Sequence, residues 1–74
     1  MTDRNARIAA TVEALGAGPL SLHVIVARAF ADYAPAAAVA AALATVRVAE
    51  RRGLIRTTQV RHGGTYHEVL ELAA

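Results

Sequence analysis

Hydrophobic positions along the chain follow a helical period over roughly the first two thirds and give way to extended stretches rich in threonine, valine, isoleucine and tyrosine over the remainder. Ile8, Val12 and Leu15 recur at spacings of four and three, with Ala9 beside them. That stripe predicts a first helix of about three to four turns, capped by Thr2 or Asp3. Gly16-Ala17-Gly18-Pro19 stops it, because glycine accepts a left-handed exit and proline cannot continue the ladder. Leu20-Ser21 then reads either as a very short strand or as the lead into a second helix capped by Ser21. Leu22, Val26, Ala29, Phe30 and Tyr33 would share one face of that helix. Val24 and Ile25 make a strand over 22–26 conceivable, but the stripe through Leu22, Val26 and Phe30 favours the helix.

Asp32-Tyr33-Ala34-Pro35 reads as a connector, with Asp32 as a helix cap, Tyr33 at the edge of the core and Pro35 in a first helical turn. From Pro35 to Arg52 the chain is rich in alanine and other good helix formers. The expected inward stripe of this third helix is Val39, Ala42, Leu43, Val46 and Ala49, and Gly53 ends it. Leu54 to Arg61 and Thr65 to Leu72 then read as strands joined by a tight turn at Gly63-Gly64. A two-residue turn there pairs Arg56 with Glu71 and Ile55 with Leu72. A turn at His62-Gly63 would instead pair Ile55 with Leu70 and Arg56 with Val69. The first register matches charge with charge and apolar with apolar, and is preferred. The expected fold is α+β, three helices followed by a two-stranded hairpin that rests on them through Leu54, Ile55, Leu70 and Leu72.

Seventy-four residues suffice for one domain, since so short a chain buries only about 60% of the surface its unfolded form exposes. Marginal burial makes association into a homodimer, or docking on a larger protein, a reasonable expectation. There is no cysteine, so neither a disulfide framework nor a thiolate zinc site is expected. Met1-Thr2-Asp3-Arg4-Asn5 lacks the apolar core of a signal peptide, and no apolar run approaches the ~20 residues of a membrane span. A soluble, cytoplasmic protein without a membrane partner is expected.

Charge changes the picture through its distribution. The net charge is only +2, but Arg47, Arg51, Arg52, Arg56 and Arg61 against the single Glu50 leave +4 across residues 47–62. Residues 1–46 sum to zero. A local basic surface suits nucleic acid, while arginine at a helix C-terminus is also favoured by the helix dipole.

The stretch Val46-Arg47-Val48-Ala49-Glu50-Arg51-Arg52-Gly53-Leu54-Ile55 resembles the end of a recognition helix and the start of a wing. Gly63-Gly64-Thr65-Tyr66 and Val69-Leu70 resemble a wing tip and return strand. With these, the chain resembles the winged helix-turn-helix superfamily over nearly its whole length, chiefly small bacterial and phage DNA-binding regulators similar in shape to the MarR and ArsR types. The resemblance implies that the third helix approaches the major groove of double-stranded DNA and that the wing meets the backbone or minor groove. It places Ala37, Ala40, Ala41, Ala44 and Thr45 at reading positions, with Arg47 and Arg51 lower on the helix. The chain departs from that pattern in one respect: direct readout relies on Arg, Lys, Asn or Gln, and alanine offers base edges only methyl contact with thymine.

The residues expected to contact DNA are therefore Thr45, Arg47, Arg51, Arg52, Arg56, Arg61 and His62, acting mainly through phosphates and DNA shape. The role implied is regulatory or architectural, as a repressor, recombination factor or phage-encoded regulator. The alternative is a protein-interaction or dimerisation module, in which Ala37, Ala41, Ala44 and Val48 form a close-packing face without direct DNA contact. The spacing of His23, His62 and His67 matches no compact zinc pattern, and neither metal nor other cofactor is expected. No nucleophile, acid–base pair or phosphate-cradling loop can be argued from spacing, so no enzymatic activity is expected.

Overall fold

The computed structural model describes residues 3–73. Helices α1 (Asp3–Leu15), α2 (Leu22–Ala29) and α3 (Pro35–Arg51) precede strands β1 (Ile55–His62) and β2 (Thr65–Leu72). The strands pair antiparallel with Ile55 opposite Leu72, Arg56 opposite Glu71 and His62 opposite Thr65, the preferred register. Gly63 and Gly64 form the turn with φ of +60° and +84°, and positive φ at both central residues is the requirement of a type I′ turn, the tight turn whose twist matches the strands.

Between α1 and α2, the two readings of Leu20-Ser21 hold together. Leu20 exchanges backbone hydrogen bonds with Leu70, its N–H donating to the Leu70 carbonyl at 2.9 Å and its carbonyl accepting at 2.7 Å. It thus adds a one-residue bridge along β2. Ser21 next to it is the N-cap of α2, its hydroxyl accepting from the Val24 N–H. The Thr2 cap expected for α1 lies outside the described residues. Asp3 opens α1, and its carboxylate oxygens accept from the Arg7 and Tyr33 side chains.

Helix α3 ends in a Schellman motif. Gly53, at φ +74°, donates to the Glu50 carbonyl and Leu54 donates to the Ala49 carbonyl, each at 3.0 Å. Arg52 is therefore the cap rather than the last helical residue. This closure fixes the angle at which the chain leaves α3 and enters β1.

The core is one cluster: Ile8 and Leu15 of α1, Ile25, Ala29 and Phe30 of α2 and its cap, Ala38, Ala42, Val46 and Ala49 of α3, and Ile55 and Leu70 of the hairpin. Bulk comes from α1 and α2, while α3 contributes mostly methyl groups. Small side chains let helices approach closely, and here they admit Phe30, Leu15 and Ile25, which are almost fully buried.

The packing corrects the inward faces expected from periodicity. On α3 the buried stripe is Ala38, Ala42, Thr45, Val46 and Ala49, whereas Val39 and Leu43 are 46% and 39% exposed. The buried face is turned by roughly half of the ~100° that separates consecutive helical residues. Side-chain size pointed to Val39 and Leu43, but fitting around the bulky residues of α1 and α2 selects the alanines. Ile25, not Leu22 or Val26, is the most buried residue within α2. In α1, Thr11 is buried between Ile8 and Leu15 in the stripe, its hydroxyl satisfied by donation to the Arg7 carbonyl at 2.8 Å. The hairpin rests on the helices through Ile55 and Leu70; Leu54 and Leu72 are 41% and 36% exposed.

A polar cluster locks α1 against the α2–α3 connector. Arg7 makes a two-pronged pair with Asp32, Nη1 to Oδ1 at 2.8 Å and Nη2 to Oδ2 at 2.6 Å. The same Nη1 donates to the Ala29 carbonyl at 2.9 Å, and the guanidinium carbon lies 4.9 Å from the Tyr33 ring centre. Asp32 is thus an ion-pair partner and not the expected helix cap; Ala34 is the N-cap of α3 and makes no side-chain cap bond. Hydrogen bonding to Arg7 holds the Asp32 carboxyl below its ordinary range, and the bond to Asp32 raises Arg7. The Tyr33 hydroxyl, donating to Asp3 at 2.8 Å, is pushed up by that bond and by burial.

Candidate nucleic-acid interface

The outward face of α3 follows from its buried stripe. Ala36, Ala40, Leu43, Ala44, Arg47 and Arg51 recur at three- and four-residue spacings opposite the core, and all six are exposed. No side chain from Pro35 to Ala44 carries a hydrogen-bond donor or acceptor. The first polar residue after them, Thr45, is 5% exposed and donates to the Ala41 carbonyl at 2.8 Å. Thr45 therefore leaves the expected DNA-contacting set, because the turned face of α3 directs it into the core.

Arg47 and Arg51 lie one turn apart at the C-terminal end of this face. Arg47 lines a groove of about 320 Å³ together with Leu22, Leu43, Glu50, Thr57 and Glu68. Glu50 there accepts a hydrogen bond from the Thr57 hydroxyl at 2.9 Å. Among the described residues neither Arg47 nor Arg51 has a carboxylate within 4.0 Å, so both guanidinium groups remain open to an anion.

Other expected cations are differently placed. Arg52 is exposed but donates to the Asn5 side chain at 3.1 Å, tying the end of α3 to α1. Arg56 is paired with Glu71, Nη2 to Oε2 at 2.7 Å and Nε to the same oxygen at 2.8 Å. Its charge is locally cancelled. Strand alternation puts Arg61 with Tyr66 on the face of the hairpin that also carries Ile55 and Leu70, whereas Arg56 and His62 lie on the opposite face. The hairpin is exposed from Gln59 to Glu68, so Arg61 and His62 stand beyond the helical body. The seven expected contact residues thus do not form one surface: among the described residues Arg47, Arg51 and Arg61 have no side-chain partner, Arg52 keeps its charge but is held by the neutral Asn5 amide, and His62 stays at the tip.

No protein-family model, curated protein or solved structure matches this chain. The candidate interface accordingly stands on its own residues and geometry. Of the alternative close-packing face, Ala37 and Ala44 are exposed, but Ala41 and Val48 already pack against the chain's own core. His23 is on α2, apart in sequence from His62 and His67 on the hairpin, and no three potential metal ligands converge among the described residues. No described helix is long and apolar enough to cross a membrane.

Two features escape sequence reasoning. The outward position of Leu43 depends on how closely α3 approaches its neighbours, for which periodicity carries no signal. Arg7 has a partial signal, its four-residue spacing from Asp3, but its stronger partner Asp32 is 25 residues away.

Proposed function

We propose that this chain is a small DNA-binding protein of the winged helix-turn-helix type, acting as a regulatory or architectural factor on duplex DNA. Helix α3 lies against the major groove, with Arg47 and Arg51 on phosphates, and the β1–β2 hairpin is the wing, bringing Arg61 and His62 to the backbone. The observation that carries this reading is the pair of exposed arginines one turn apart on the outward face of α3, free of carboxylate partners among the described residues. The order of three helices and a projecting hairpin supports it. Backbone contacts dominate, because the only side chains able to form charged hydrogen bonds on that face are at its C-terminal end. Arg56 has a minor part, since engaging a phosphate would cost it the bond to Glu71.

The test is binding of a fluorescent duplex of mixed sequence across a salt series, with the protein's mass measured in the same buffers. Three phosphate contacts per chain predict that log K falls against log salt with a slope of roughly −3. Replacing Arg47, Arg51 or Arg61 by alanine should reduce the magnitude of the slope by about 1 each, and weaken all sequences alike. Undiminished affinity of the triple variant at low salt would overturn the proposed surface. Failure of the folded wild-type protein to bind any duplex would overturn the function.

A further inference from the structure

Resting on the DNA-binding reading, we infer that the outward face of α3 selects duplexes by the C5-methyl groups of pyrimidines, which makes thymine-rich DNA its preferred substrate. Ala36, Ala40, Leu43 and Ala44 are exposed along this face, with Arg47 and Arg51 continuing it. From Ala36 to Ala44 the helix advances ~12 Å, which spans about three to four base pairs at ~3.4 Å each. Over that length the face presents only apolar groups.

The thymine methyl is the apolar group that the major groove offers, and alanine contact with it is an established mode of base discrimination. The polar edges of every base pair, pressed against the same face, would lose water without gaining a protein hydrogen bond, so only the methyl group distinguishes one pair from another there. Leu43 supplies the largest outward apolar side chain, while the alanines keep the backbone close enough for methyl contact. Charge complementarity seats the face: Arg47 and Arg51 anchor to phosphates at one end, so the apolar length need only enter the groove. A bulky, wholly apolar helix face without flanking cations would suit a protein partner better; this one has mostly small side chains bordered by arginines that have no carboxylate partner among the described residues.

The experiment compares duplexes that differ at a single kind of atom group. A thymine-rich duplex is measured against the same sequence with deoxyuridine in place of thymidine, which removes the methyl and keeps the Watson–Crick edge. A G·C-rich duplex is measured with cytosine and with 5-methylcytosine, which adds the methyl back on a different base. All are measured at one salt concentration with wild-type protein and with Leu43→Ala, whose fold is checked by circular dichroism. Uracil should weaken binding about fourfold per contacted methyl, the value of burying one such group, and 5-methylcytosine should strengthen it in like proportion. Leu43→Ala should narrow the thymine–uracil ratio and keep the salt slope.

Equal affinity for thymine and uracil duplexes, with real binding to both, would overturn methyl selection and leave the DNA-binding reading standing. An unchanged ratio in Leu43→Ala would overturn the assignment of this face. A wild-type protein that binds none of the four duplexes would overturn both readings.

Discussion

Alanine lines both sides of α3, and the two sides answer to different constraints. Ala38, Ala42 and Ala49 face inward at 0–2% exposure, where their size sets how closely α3 can approach Phe30, Leu15 and Ile25. Ala36, Ala40 and Ala44 are exposed on the outward side, where they contribute chiefly helix propensity. On the inner side an alanine is a steric requirement, and a larger residue has nowhere to go. On the outer side it is a surface, and its smallness matters only to whatever approaches it. The same residue type therefore teaches different things on each side: inward alanine explains the fold, and outward alanine bears on partner choice.

Substitution at Ala42 gives the sharpest test of that difference. Ala42→Leu inserts three carbons into a fully buried site and should cost about 1–3 kcal/mol or more in chemical denaturation. A cost near zero would mean that the inner side is not closely packed and that the comparison fails. The inner side also depends on the lock between α1 and the connector, which a pH series examines. Asp32 has a folded pKa below its unfolded value, so its stabilisation is present above the ordinary carboxylate range, near pH ~4, and is lost as pH falls through the depressed value. Asp32→Asn should be less stable than wild type at neutral pH and should lose that part of the acid dependence. Parallel acid-unfolding curves for the two proteins would remove Asp32 from the account.

Smaller effects sharpen the boundary between the faces. Thr45→Val keeps the shape of a buried residue and frees the Ala41 carbonyl from a secondary bond, so stability should change by less than ~1 kcal/mol. Duplex affinity should not change at all; a loss of binding would return Thr45 to the interface. The smallest effect is expected for Ala40→Leu, within ~0.5 kcal/mol of wild type in the same denaturation assay. That variant should nevertheless alter duplex binding, since it enlarges the surface facing the groove. Stability falling as far as in Ala42→Leu would show the two faces to be equivalent.

Much of the fold was legible because the chain marks its local elements clearly. Pro35 and Gly53 bracket α3, Ser21 caps α2, and Gly63-Gly64 selects the register that joins Arg56 to Glu71. The candidate site was legible only in part. Arg47, Arg51 and Arg61 are exposed as expected, whereas Thr45 is buried and Arg56 is held by Glu71. Thr45 was misplaced because periodicity gives the spacing of a stripe but not its absolute angle about the helix when most positions are alanine. Arg56 was expected both to pair with Glu71 and to contact DNA, and the ion pair in the fold favours the first.

By itself, then, the sequence determined the order of helices and strands and the signals at Ser21, Pro35, Gly53 and Gly63-Gly64 that separate them, since caps, proline and glycine act on the backbone within a few residues. It also determined that the first ten residues of α3 present no side-chain hydrogen bond to a partner, because that is a matter of composition. Tertiary structure alone decided which side of α3 is buried, that Arg7 is spent on Asp32 and Arg52 is held by Asn5, and that Leu43 faces outward. The physical reason is that these outcomes depend on how the helices fit around Phe30, Leu15 and Ile25, with contacts between residues distant in sequence. An alanine-rich helix leaves that fit open until its neighbours close on it.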